Sequence, residues 1–221
     1  MIPSDFLTRE EFQKLLSAAR TLKERAILSI LGGCGLRVSE LTALRVEDIE
    51  LTALRVEDID PAKQFIYVRH GKGGKDRTVT APLNTLKAID DYMKEANENP
   101  DDPTAPYEMY FQNGKDYLFE GRQNGHLSSW EVSYVLNKIA EAALMQEHRP
   151  PEPGKVRNRR KITPHLLRHS HASWMLDLNI PVSEVQEQLG HASIATTGIY
   201  LKKQPNHRLE SFKRHGGDSI V

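Results

Sequence analysis

Six side chains spread along the sequence have the types that chemistry at a phosphodiester uses: Arg37, Lys72, His165, Arg168, His191 and Tyr200. Two arginines, a lysine, two histidines and a phenol make poor sense as a metal or cofactor site. Guanidinium forks match non-bridging phosphate oxygens bidentately and offset charge that builds up in a pentacoordinate transition state. A tyrosine, whose pKa starts at about 10, becomes a nucleophile when neighbouring cations favour the phenolate and a base takes its proton. A lysine on a flexible hairpin can protonate a departing 5′ oxygen. With no other nucleophile and no metal cluster, the set implies covalent phosphoryl transfer. His165, His169 and His171 could suggest zinc, but no cysteine or carboxylate stands at ligand spacing and no His-Glu-x-x-His occurs. Neither a metal nor a cofactor is expected.

Each of these residues needs an element to hold it. In Leu189-Gly190-His191, glycine suits the left-handed residue that closes a helix, so the chain turns sharply at His191. Ser193 is placed to cap a second short helix carrying Tyr200. Taken alone, such a turn and tyrosine read equally as ordinary packing features or as groups presented to one site. Arg37 starts a helix directly after Gly32-Gly33 and Gly35. Cations prefer the opposite helix end, so this placement is tolerable if the arginine binds an anion. Phe65–His70 and Arg77–Thr80 read as strands of a hairpin, with Lys72 and Lys75 at or near its tip. Gly-Lys-Gly-Gly-Lys reads equally as a solvated turn, and it is no Walker loop because no Lys-Ser/Thr pair opens a helix. Thr163-Pro164 begins a helix on which His165 and Arg168 share a face. That helix ends at Leu178-Asn179, and Pro181-Val182-Ser183 starts the one running to Gly190.

The remaining pattern is mostly helical. Thr8 and Glu11 form a capping box for a helix over 8–20, and Leu22–Leu31 is a buried helix that stops at Gly32-Gly33. Asn84 caps an amphipathic helix (Leu86, Ile89, Tyr92, Met93, Ala96) ending near Pro100. Residues 99–117 read as a loop, and Tyr117-Leu118-Phe119 returns to the core. Ser128 and Glu131 box a helix to about Met145 with Val132, Val135, Leu136 and Ile139 inward.

One feature fits no element. Leu-Thr-Ala-Leu-Arg-Val-Glu-Asp-Ile occupies 41–49 and again 51–59, followed by Glu50 and Asp60 respectively. Two copies are too few for a solenoid. In one continuous helix the second copy would rotate its apolar stripe by roughly 280° and push the chain on by about 15 Å. One copy is therefore expected to make the native helix and the other a local excursion.

Composition narrows the class. With 221 residues, 38% hydrophobic and 27% charged, this is an ordinary globular chain able to bury a core. Met1-Ile2-Pro3-Ser4-Asp5 has no basic or apolar run of a secretory leader, and no apolar stretch approaches the ~20 residues of a membrane span. The single cysteine, Cys34, excludes an internal disulfide and fits a reducing cytoplasm. Thirty basic and thirty acidic residues cancel, but their distribution does not. Acids crowd 90–108, while bases crowd 149–168 and 202–214, as a protein holding a polyanion on one side requires. A solvated basic loop at 155–161 is the plainer reading.

In order, Gly35-Leu36-Arg37-Val38-Ser39-Glu40-Leu41, Gly71-Lys72-Gly73, Thr163-Pro164-His165-Leu166-Leu167-Arg168-His169 and Leu189-Gly190-His191 with Tyr200 resemble the four catalytic motifs of the tyrosine recombinase (phage integrase, Xer-like) family. The resemblance runs from about Thr8 to Tyr200. It implies an α+β, mainly α-helical catalytic domain over 1–221, with a small antiparallel sheet carrying the lysine hairpin. It implies site-specific DNA recombination in which Arg37 and Arg168 clamp the scissile phosphate and His165 transfers protons. His191 would hydrogen-bond the phosphate or orient the site, Lys72 would be the general acid, and Tyr200 would form a 3′-phosphotyrosyl link. Lys75, Arg77, Arg157, Arg159, Arg160, Lys161, Lys202 and Lys203 are expected to contact DNA. The expected partner is double-stranded DNA, with a homo-tetramer assembled on it and a monomer without it. No membrane partner is expected, and the location is cytoplasmic, with the nucleoid. The family's helical N-terminal core-binding domain is expected to be absent, and the duplication lengthens the interval between Arg37 and Lys72. A non-cutting DNA-binding regulator and a type IB topoisomerase-like enzyme are the alternative readings.

Overall fold

The computed structural model describes residues 6–42, 58–69, 76–96, 117–119, 121, 126–145 and 161–190. Seven helices and three short strands are formed by these residues: α1 (Arg9–Ala18), α2 (Leu22–Ser29), α3 (Val38–Leu41), β1 (Ile59–Asp60), β2 (Phe65–Val68), β3 (Arg77–Thr80), α4 (Leu83–Ala96), α5 (Ser129–Ala142), α6 (Pro164–Asp177) and α7 (Val182–Leu189). The mainly helical reading with a small antiparallel sheet holds. Caps explain the helix starts. Thr8–Glu11, Thr21–Glu24 and Ser128–Glu131 each close a reciprocal box, and Thr163 caps α6 ahead of Pro164.

Two expected boundaries move. The chain does not stop being helical at Gly32-Gly33, because a buried π-helical turn, Ile30–Cys34, continues α2. The glycines serve close packing there. A Cβ on Gly32 would lie 2.3 Å from the Phe12 ring, and one on Gly33 would lie 2.4 Å from Thr85 Oγ1. The left-handed residue that ends the turn is Gly35, at φ 67°. Asn84 does not cap α4, which opens one residue earlier. Pro82 O accepts from Thr85 N–H (2.8 Å) and Leu86 N–H (3.1 Å).

The strands pair antiparallel in the order β1-β2-β3, with Ile66 opposite both Ile59 and Val79. Alternation buries Ile66, Val68 and Val79 while Tyr67, Thr78 and Thr80 face outward. The sheet and α4, α2, α5 and α6 enclose one core, in which Leu28, Leu31, Leu36, Ile66, Ile89, Leu136 and Leu167 are fully buried. Leu118 and Phe119 join it, as expected, with Phe119 stacked on Tyr92. The N-terminal segment docks on α6. Ser170 Oγ accepts from Leu7 N–H (2.8 Å), and Trp174 Nε1 donates to Leu7 O (2.8 Å).

The duplication is anchored at its two outer ends. Leu41 and Thr42, from the first copy, close α3 and are buried; from the second, Asp58 is buried and Ile59 opens β1. Asp58 pairs with Arg69 at 2.6 Å. Residues 43–57 lie outside the described residues. Deleting residues 43–52 restores the same sequence across the junction and shortens the connection from 15 residues to 5. For a connection without packing of its own, loop closure would favour the shortened chain by about 1 kcal/mol. Its urea midpoint should rise, and a fall would show that the extra copy contributes packing of its own.

His171 adds a pH dependence. Its Nδ1–H donates to Gly32 O at 3.0 Å, and Nε2 is buried with no hydrogen-bond partner among the described residues. Burial pushes the ring down to about 4, partly opposed by the Gly32 bond and assisted by the charge of Arg168. The folded value lies below the unfolded one, so the unfolded chain takes the proton first. Stability is full above about pH 6.5 and falls as pH drops toward 4, by on the order of 3 kcal/mol. His171→Phe should flatten that slope in denaturation measured across pH 7 to 4. An unchanged slope would rule His171 out as its source.

Candidate active site

Leu36 and Leu41 pull α3 into the core, and this carries Glu40, its third residue, in with them. The buried Glu40 carboxylate accepts four hydrogen bonds. Oε1 receives Arg37 Nη1 (2.7 Å) and Arg77 Nη1 (2.6 Å), and Oε2 receives Arg37 N–H (2.8 Å) and Arg77 Nη2 (2.8 Å). Burial alone would raise its pKa, but the bonds and charge of Arg77, then those of Arg37, outweigh it and hold the group at about 2. Strand parity sends Arg77 inward, since it shares a face of β3 with Val79. Its Nε also donates to Gln188 O at 3.2 Å. Arg77 was expected on DNA. In this structure its guanidinium is engaged by Glu40 and by the Gln188 carbonyl.

The two arginines of the sequence reading do meet. Arg37 Nη2 donates to Gly190 O at 2.8 Å, and Arg168 donates through Nη1 to Gly35 O (2.6 Å) and through Nη2 to Leu189 O. Residues 37 and 168 thus end on consecutive carbonyls at the C-terminal turn of α7, where helix carbonyls lack intrahelical donors and carry partial negative charge. Gly190 closes that turn at φ 61°, as the sequence indicated, and a Cβ there would come within 2.9 Å of the Arg77 side chain. The Arg37 side chain is 20% exposed, whereas Arg168 lies deeper at 6%. The anion that makes Arg37 tolerable at a helix start is, in this structure, Glu40.

On α6, His165 and Arg168 stand three residues apart but differ in burial. Arg168 is buried while His165 is exposed in the first turn, its Nε2 2.5 Å from Nε2 of His169 with the rings edge to face. One ring must donate and the other accept. Burial, His165 and Arg168 push His169 down to about 4, so it is neutral at neutral pH. Lys161 is exposed just ahead of α6. Lys72, Lys75, Arg157, Arg159, Arg160, His191, Tyr200, Lys202 and Lys203 lie outside the described residues. No cluster of three or more metal-ligating side chains occurs among the described residues, and none of their helices is long and apolar enough to cross a membrane.

Glu40 and Gln188 escaped the sequence reading. Glu40 stands three residues after a helix start, the position from which an acid reaches back to the first N–H. Gln188 interrupts the apolar stripe of Val185 and Leu189. Replacing Glu40 by glutamine leaves two guanidinium groups facing a neutral amide and should cost roughly 3–5 kcal/mol near neutral pH. The folded pKa lies below the unfolded one, so this contribution is present above about pH 4.5 and lost as pH falls toward 2. The stability difference between wild type and Glu40→Gln should shrink through that window. A difference that does not depend on pH would refute the charged pair.

The model of the phage integrase family matches residues 5–207. Tyrosine recombinase XerA of Pyrococcus horikoshii is 33% identical over 211 residues, spanning 94% of this chain and 60% of that protein. XerA of Pyrococcus furiosus is 35% identical over 213 residues with the same coverage. The chain therefore spans about 60% of the length of these curated relatives. Among solved structures, a XerA recombinase superposes with a TM-score of 0.69 at 28% identity, covering 97% of this chain and 66% of that one. XerH site-specific recombinase bound to its difH substrate shares the fold, with a TM-score of 0.61 at 21% identity over 90% of this chain and 50% of that one. By this match over residues 5–207, the chain belongs to the phage integrase family of tyrosine recombinases.

Proposed function

We propose that residues 1–221 act as the catalytic domain of a site-specific DNA recombinase. The observation that carries this reading is the convergence of Arg37 and Arg168 on the carbonyls of Leu189 and Gly190, immediately before His191. Two guanidinium groups held side by side form a clamp for the non-bridging oxygens of one phosphate. Tyr200 Oη attacks the phosphorus as His165 accepts its proton, the bond to the 5′ oxygen breaks, and Lys72 protonates that oxygen. A 3′-phosphotyrosyl link and a free 5′ hydroxyl result. In the second half, a 5′ hydroxyl of the partner strand attacks the phosphotyrosyl group and releases Tyr200. One phosphate ester replaces another, so no nucleotide hydrolysis is needed. His165 serves proton transfer, and His191 steadies the phosphate.

Double-stranded DNA is the substrate, and four protomers exchange strands on it. Lys75, Lys161, Arg157, Arg159, Arg160, Lys202 and Lys203 supply backbone contacts of the kind that fix register without reading sequence. XerH site-specific recombinase, which shares the fold, has been solved bound to its difH substrate. Incubation with a nicked suicide duplex should yield a covalent protein–DNA adduct that survives denaturation, and Tyr200→Phe should abolish it. An adduct that persists in Tyr200→Phe would remove Tyr200 as nucleophile. DNA binding without any adduct would favour a non-cutting DNA-binding role.

A further inference from the structure

The α7 helix meets the sheet through one side-chain amide. Gln188 Oε1 accepts from Thr80 N–H (2.9 Å), and its Nε2 donates to Thr80 O (3.0 Å) and to Cys34 O (3.2 Å). The amide pairs with the backbone of β3 much as a neighbouring strand would, and its remaining donor reaches the π-helical turn that leads to Arg37. The backbone carbonyl of the same residue accepts from Arg77 Nε. The next two carbonyls, of Leu189 and Gly190, are the acceptors of Arg168 and Arg37. Three successive carbonyls at the end of α7 thus receive three arginines from three other elements, and the first belongs to the bracing residue.

Gln188 also sits where the helical period expects an apolar side chain. Its stripe neighbours Val185 and Leu189 are fully buried, and Gln188 itself is 7% exposed. Apolar packing is non-directional and would let the last turn of α7 shift along the sheet. An amide with its acceptor and both donors engaged has one geometry.

We propose that Gln188 is a positioning residue of the phosphate clamp. It fixes the C-terminal turn of α7 against β3 and the π-helical turn, and so sets where the guanidinium groups of Arg168 and Arg37 point. This rests on reading those arginines as the clamp. Gln188 touches no reacting atom and acts only through them.

The test uses the full chain, with single-turnover adduct formation on suicide duplexes at saturating DNA and a parallel binding titration. One duplex carries the ordinary scissile phosphate and the other a neutral methylphosphonate there. Gln188→Met keeps length and volume but removes all three bonds. On the ordinary phosphate its rate should fall about 10- to 100-fold, with DNA affinity within about 2-fold of wild type. On the methylphosphonate, which makes least use of the charge of the arginines, the penalty should shrink to about 3-fold or less. A wild-type rate in Gln188→Met, or an equal loss on both duplexes, would overturn the role. If Gln188→Met fails to fold, Gln188→Asn carries the same comparison, because it keeps an amide too short to reach Thr80. Absence of adduct in the wild type would instead overturn the recombinase reading itself.

Discussion

A single buried carboxylate organises the centre of this molecule. Glu40 places one negative charge where two guanidinium groups, from a helix start and from a strand 37 residues on, can share it. Taking charges out of water costs several kcal/mol per ion, and the interior tolerates it only when every lone pair is used. All four acceptor positions of Glu40 are used. That satisfaction welds α3 to β3, and the second reach of Arg77, to Gln188 O, extends the weld to α7.

Beyond Glu40, Arg37 and Arg168 donate to backbone carbonyls. Carbonyls of Gly35, Leu189 and Gly190 are exposed as acceptors because the chain leaves helical geometry at those points. Both Gly35 and Gly190 adopt the left-handed conformation, at φ 67° and 61°. Side chains larger than hydrogen would be strained there, and at Gly35 a Cβ would also meet His171 at 2.6 Å. Two helix ends facing each other thus make an acceptor-lined rim, and arginine suits such a rim. Its planar fork can spend some donors on the protein while keeping charge for a phosphate.

The tandem duplication enters between parts of this assembly without interrupting them. Leu41 and Thr42 close the helix begun by Arg37, while Asp58 and Ile59 feed the sheet that ends in Arg77 and Thr80. Loop-closure entropy grows only logarithmically with length, so ten further residues between fixed ends cost little. The Glu40–Arg77 pair bridges the same two elements that the duplication separates in sequence. A long connection and a tight contact therefore coexist.

Most helices were legible in the sequence because their signals are local. Capping boxes at Thr8 and Ser128, proline after Thr163 and glycine at 190 act within one turn of where they are written. The residue types of the candidate site were legible for a similar reason: arginine, histidine and tyrosine carry their chemistry wherever they sit. The sequence also indicated which strand pair would flank Lys72, through composition and a glycine-rich break. Only tertiary structure decided what the charges do. Arg77 follows the glycine-lysine hairpin and reads as one more surface cation, yet strand parity and the burial of Val79 turn it onto Glu40. Gln188 reads as a polar lapse in an apolar stripe until Thr80 and Cys34 arrive from 108 and 154 residues away to occupy its amide. Periodicity reports which face of an element is buried. It is silent on what that face meets, because hydrogen-bond partners for a buried polar group are fixed by packing between elements and not by spacing within one.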